Sequence, residues 1–160
     1  MKKNITLLLL LAVSLVNAQA FKGKDDFKAQ VGLNLIKGAN GIHLTGDYGI
    51  GENMSVGAGI TYLLGVSNGK IGDVLPDFGD RFDLKARFNA NIGNVLKIDD
   101  KLDIYPGLNL GLNDFGGHIG VRYFFTDGFG VYTEFGYPFS SYKSDVNKLF
   151  TSNFGVSFNL

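Results

Sequence analysis

From Phe27 to the last residue the chain alternates apolar and polar positions with a period of two. Side chains on a β-strand point alternately to its two faces, so such a segment is apolar on one side only. Residues 82–92 show it most sharply: Phe82, Leu84, Ala86, Phe88, Ala90 and Ile92 share one face, and Asp83, Lys85, Arg87, Asn89 and Asn91 the other. The same rhythm runs through 27–36, 42–50, 54–64, 102–112, 117–125, 129–137 and 150–160. It predicts eight strands of roughly ten residues. Turn signals separate them at 37–41 (KGANG), 51–53 (GEN) and 126–128 (TDG). Longer polar connections are expected over about 65–80, 93–101 and 138–148. Pro106 lacks a ladder donor and is expected to mark a bulge or kink.

Short connections make neighbouring strands antiparallel, and an eight-stranded meander usually closes to remove its edges. Two barrels compete. A soluble lipocalin-like carrier buries its apolar face around a ligand, whereas a membrane barrel turns that face outward to lipid. Eight strands leave an interior just wide enough for side chains. The apolar stripe carries a dozen aromatic rings that would crowd such a lumen, and no charge. The polar stripe is about one-third Gly, which makes room for long neighbours inside. Ten residues tilted by about 40° rise roughly 25 Å, the height of an outer-membrane apolar band. The fold class expected is therefore an all-β, eight-stranded antiparallel up-and-down transmembrane barrel.

The charges on the inward stripe must then pair. They are Lys28, Lys85, Arg87 and Arg122 against Asp47, Asp83, Asp103 and Glu134, a balanced set expected to plug the lumen. Arg122 and Glu134, on either side of the TDG turn, are expected to form one ion pair.

The N-terminus has a different pattern. Lys2 and Lys3 precede an uncharged apolar run from Ile5 to Val16. That run is short for a helical span but suits a signal peptide over residues 1–20, with cleavage after Ala18 or Ala20. Its removal leaves 13 cationic against 15 anionic side chains in residues 21–160. So little positive charge argues against a nucleic-acid partner, and zero Cys excludes disulfides and thiol chemistry.

The chain closes on NFGVSFNL, in which Asn153, Gly155, Phe158 and Leu160 resemble the C-terminal assembly signal of outer-membrane barrels. Many such signals end in Phe, and this one ends in Leu. With the signal peptide and seven further strands, residues 21–160 resemble the small eight-stranded barrels of the OmpA/OmpX class of Gram-negative bacteria. The resemblance implies a cell outer membrane location, insertion by the barrel assembly machinery, and contact with outer-membrane lipid and lipopolysaccharide. It also implies 37–41, 65–80, 113–116 and 138–148 outside the cell, with 51–53, 93–101 and 126–128 in the periplasm.

Little catalytic chemistry is visible. His43 and His118 are expected at the outer ends of their strands, making rim hydrogen bonds. By resemblance, a lipid A deacylase wants a Ser two residues after its strand His, but Ile119 and Gly120 follow His118. No enzyme, cofactor or metal site is expected. The expectation is a monomeric structural or surface-interaction barrel acting through 65–80 and 138–148, its extracellular partner unspecified. A narrow porin-like channel and a lipocalin-like carrier are the alternatives.

Overall fold

The computed structural model describes residues 19–66, 77–142 and 148–160. The expected signal peptide lies almost wholly outside them, as does most of the 65–80 connection and part of 138–148. Eight strands follow one another: β1 (Phe27–Ile36), β2 (Ala39–Gly49), β3 (Met54–Val66), β4 (Phe82–Ala90), β5 (Leu102–Gly111), β6 (Asp114–Phe124), β7 (Phe129–Ser141) and β8 (Thr151–Asn159). Each pairs antiparallel with the next, and β8 returns to β1, closing the barrel. Both ends of the barrel sequence, Phe27 and Asn159, lie at one rim, here the proximal end. The β1–β2, β3–β4, β5–β6 and β7–β8 connections lie at the distal end.

Closure satisfies the backbone donors and acceptors that an open edge would leave unpaired. Two irregularities occur at the distal end. Leu64 is skipped where Asn40 pairs with Gly65 and Gly41 with Leu63. Phe139 is skipped where Phe115 pairs with Ser140 and Gly116 with Pro138. Pro106 is not a bulge. It stays in register with Ile119 on β6, and the β4 ladder stops one residue away at Gly107, so its missing N–H breaks no bond there.

Strands run further distally than expected. β6 begins at Asp114, inside the anticipated 113–116 loop, and β7 continues to Ser141. Single helical turns fill two connections. The first, α1 (Phe78–Arg81), starts at a capping box in which Asp80 N–H donates to Asp77 Oδ1 at 2.9 Å and Asp77 N–H to Asp80 Oδ2 at 3.1 Å. The second, α2 (Gly93–Leu96), ends where Lys97 takes φ 51°.

The faces are those the alternation requires. Val31, Leu33, Ile42, Leu44, Ile60, Leu84, Leu108, Ile119 and Val131 point outward and are exposed. Lys28, Gln30, Asp47, Asn89, Arg122 and Glu134 point inward and are almost wholly buried. This is the inverse of a carrier with an apolar lumen. No described strand residue on the outward face is charged. Rings gather at the two rims, and the band between them is mainly aliphatic. Proximally, Tyr123, Phe125, Phe129 and Phe158 touch in series, with centroids 5.5–6.3 Å apart. Distally, Tyr62, Phe78 and Phe82 form one group, and Phe115–Phe139 and Phe135–Phe150 two pairs.

Candidate functional site

The lumen is built from the inward stripe of every strand, and it changes character along its length. At the proximal end Lys28 Nζ donates to Asp26 Oδ2 at 2.6 Å and to Asn159 Oδ1 at 2.8 Å, with the Phe124 ring 5.3 Å away. Ala20 packs on Phe124, and its N–H donates to Asp100 O at 2.7 Å. Phe21 is fully buried, and its carbonyl accepts from Asn94 Nδ2 at 2.8 Å. The segment before β1 thus closes this mouth.

Above it Arg122 donates from Nε and Nη2 to Asp103 Oδ2, at 3.0 and 2.8 Å, and from Nη2 to Asn91 Oδ1 at 2.8 Å. Its guanidinium lies 4.5 Å from the centre of the Tyr105 ring, a cation–π contact. The Tyr105 ring in turn lies over Gly120, its register partner on β6, where a Cβ would fall within the ring. Gly at this position is the space that lets a ring lie across a narrow lumen.

At mid-height Arg87 joins three strands. Nη1 and Nη2 donate to the two oxygens of Glu134 at 3.0 and 2.6 Å, a bidentate pair, and Nε donates to Asp47 Oδ1 at 3.2 Å. His118 Nε2 lies 3.3 Å from Arg87 Nη2 and 2.8 Å from Asn89 Oδ1. Below this level Thr45 Oγ1 donates to Gln30 Oε1 at 2.9 Å, and Gln30 Nε2 donates to the Tyr105 hydroxyl at 3.2 Å.

Distal to Arg87 the packing opens into a crypt with a free volume of about 70 Å³. Arg87 and Glu134 form part of its lining, with Asn34, His43, Asp83 and Asn109. Lys85 bridges Asp114 at 2.6 Å and Asp83 at 3.1 Å within it. Nearer the mouth Leu63 is buried among Ile36, Ala39, Val66 and Leu149, a small apolar collar.

All eight charged residues anticipated for the lumen face inward, but their partnering differs from expectation. Arg122 does not pair with Glu134. Glu134 stands opposite Gly120 and Arg122 opposite Tyr132, whereas Asp103 is the register partner of Arg122 on β5. Glu134 goes to Arg87 instead, across the lumen. Two carboxylates were missed. Asp26, which takes Lys28, lies just before β1, where the alternation gives no signal. Asp114, which takes Lys85, falls within the 113–116 connection expected from the sequence. With them the inward charges of the described strands, together with Asp26, come to four fixed cations and six carboxylates. His43 and His118 are not at the rim but inside: His43 Nδ1 is 2.9 Å from Thr61 Oγ1, and its Nε2 is 3.7 Å from Glu134 Oε1.

The C-terminal residues fall into the same scheme. Asn153 points inward and accepts from Asn34 Nδ2 at 2.7 Å, Gly155 stands opposite Gly32, Phe158 stacks near Phe129, and Leu160 N–H donates to Phe27 O at 3.0 Å.

The profile of a family of unknown function, DUF6646, matches residues 11–160. No curated protein matches the chain. Among solved structures, a barrel from work on the de novo design of transmembrane β-barrels superposes with a TM-score of 0.61 at 11% identity, covering 87% of this chain and 98% of that one. The N-terminal β-barrel domain of Pseudomonas aeruginosa OprF gives 0.58 at 12% identity, covering 87% of this chain and all of that domain. At such identities the likeness is one of fold, a closed eight-stranded antiparallel barrel shared with these membrane barrels.

Proposed function

The chain belongs to DUF6646, a family of unknown function, and from the geometry we propose that it is an integral outer-membrane barrel with an ion-sealed lumen and a structural or surface-interaction role at its distal end. One observation carries this reading. The outward face is an uncharged aliphatic band between two aromatic rims, while the fixed charges of the strands are enclosed and paired. In water that arrangement would expose a continuous apolar belt, which a soluble monomer does not sustain. In a bilayer the belt meets hydrocarbon and the rings lie at the two interfaces, as in outer-membrane barrels.

The seal supports a scaffold over a conduit. Arg122, Tyr105, Lys28, Phe124 and Gln30 fill the proximal half and are fully buried. Opening a path past them separates ions from their partners in a poorly hydrated interior, at several kcal/mol each. The barrel assembly machinery would insert the chain, with Asn153, Gly155, Phe158 and Leu160 on the closing strand. Lipid and lipopolysaccharide would surround the belt.

Carbonate-washed outer-membrane fractions and heat modifiability on denaturing gels test the membrane assignment. The protein is expected to stay with the membrane and to migrate as a compact form until boiled. Release by carbonate, or identical migration before and after boiling, refutes it. Planar bilayers test the seal, and a stable open state of ordinary porin conductance would show a channel instead.

A further inference from the structure

Four buried polar atoms in the crypt lack a close hydrogen-bond partner among the described residues: Asn34 Oδ1, Asp83 Oδ1, Asn109 Oδ1 and His43 Nε2, although His43 Nε2 lies 3.7 Å from Glu134 Oε1 and the Asn113 N–H approaches the Asp83 carboxylate. Their residues are between 2% and 9% exposed, so they are enclosed by the barrel wall rather than displayed on it. Such atoms are rarely left unmade in a folded protein, because each costs about 1–3 kcal/mol. Three of the four are oxygens that only accept, and one belongs to a carboxylate. The Asn34 amide is set by its own bond, since its Nδ2 already donates to Asn153 Oδ1 at 2.7 Å and its oxygen is left facing the crypt.

The neighbouring cations are already engaged. Lys85 is held by Asp114 and Asp83, and Arg87 by Glu134 and Asp47. The lining includes the carboxylates of Asp80, Asp83, Asp114 and Glu134 against Arg81, Lys85 and Arg87. The crypt therefore offers acceptors and a slight excess of negative charge, with its described cations at depth saturated. Its free volume of about 70 Å³ is small, room for a compact head group on a thin chain rather than for a bulky ligand.

We propose that this crypt binds small primary ammonium compounds, with the ammonium group donating to Asp83 Oδ1 and to the Asn34 and Asn109 side-chain oxygens. An ammonium carries three donors and no acceptor, which matches a site short of donors. A carboxylate ligand would meet Asp83 and Asp114 with its own charge and find its cations taken. The opening of the crypt to the cell exterior rests on the membrane reading above, but the binding does not.

The test uses ¹⁵N-labelled barrel purified from membranes into detergent micelles and titrated with putrescine. The side-chain amide resonances of Asn34 and Asn109 are expected to move saturably. Butanediol, succinate and sodium chloride at matched ionic strength are expected not to reproduce the movement. Asp83→Asn should weaken putrescine binding by about tenfold, the loss of one charge-assisted hydrogen bond. Asp99→Asn, in the exposed proximal turn where the Asp99 side chain accepts from Lys101 N–H, should leave it unchanged. A compact unboiled gel band confirms that each variant is folded. If Asp83→Asn does not fold, Asn109→Ala is read in its place. The proposal is overturned by an absence of saturable shifts, by equal shifts with butanediol or salt, by tighter binding of succinate, or by full binding in the folded variant. Carbonate washing fails or succeeds independently of all these outcomes.

Discussion

Replacing Arg122 by Met keeps much of its volume and removes its charge, so it measures how strongly the lumen depends on ion pairing. Three donor contacts disappear, two to Asp103 Oδ2 and one to Asn91 Oδ1, as does the contact with Tyr105. Asp103 is 1% exposed and keeps only the Gly93 N–H at 3.2 Å. Breaking a buried pair by removing one partner costs about 3–5 kcal/mol. Proton uptake by Asp103 supplies an independent bound. Neutralising an ordinary Asp (reference near 3.9) at pH 7 costs about 4 kcal/mol, at 1.36 kcal/mol per pH unit. The two routes agree on about 4 kcal/mol at pH 7. At pH 5 the same arithmetic gives about 1.5 kcal/mol. The sign follows from linkage: a proton taken up by the carboxylate that has lost its partner offsets the loss, and it binds more readily as pH falls, so the deficit shrinks. The chain has no Trp, so urea unfolding in lipid vesicles is best followed by far-ultraviolet circular dichroism. Adding Asp103→Asn should recover most of the loss, and adding Glu134→Gln should recover little. A deficit under about 1 kcal/mol at pH 7, or rescue through Glu134 rather than Asp103, would refute the pairing and its energetics.

Three further outcomes follow from the same structure. Ile60→Arg, between Leu44 and Leu84 at mid-band, should cost about 2–4 kcal/mol of insertion. Its neighbour Thr61→Arg points into the crypt and should lose only the His43 contact, about 1 kcal/mol, and equal losses of folded barrel in vesicles would contradict the facing. Gly120→Ala should destabilise by about 1–3 kcal/mol, because the added methyl collides with the Tyr105 ring, and Tyr105→Leu in the same chain should relieve part of that loss in urea melts. Mass spectrometry of the mature protein should find Gln19 at the N-terminus rather than Phe21, because cleavage after Ala20 would delete the residue that caps Phe124 and bonds Asp100.

The alternation along the chain was enough to read the facing of every strand, because a one-residue slip would turn a whole stripe to the wrong environment. Phe88 and Asn89 stand on opposite sides of the wall for that reason alone, one 42% exposed and the other wholly buried. The excess of inward Gly was legible too: His118 crosses Gly107 as Tyr105 crosses Gly120, so small residues mark where large ones lie. The partners of the charges were less legible, for two separate reasons.

The first reason is turn length. Register in a hairpin is fixed by the centre of its turn. With 113–116 taken as the β5–β6 loop, that centre moves by about two residues and Asp103 falls out of reach of Arg122. The true turn is Leu112-Asn113, and the two residues are then directly opposed. In the next hairpin the expected turn at 126–128 is correct, but centring it on Gly128 rather than Asp127 sets Glu134 opposite Arg122 when it faces Gly120. Only the first error comes from reading Gly as a breaker where it serves as a space. The second reason has no local signature at all. Arg87 on β4 reaches Asp47 on β2 and Glu134 on β7, 40 and 47 residues away. Asp47 is reached across Gly57 on the intervening β3, but Glu134 is reached only because β8 closes on β1 and brings the opposite wall within the guanidinium's reach. Local pattern therefore sets which side of the wall a residue occupies, and closure decides whom it meets. An open sheet with this sequence would leave Glu134 without Arg87, so ring closure and neutralisation of that carboxylate must form together when the barrel folds.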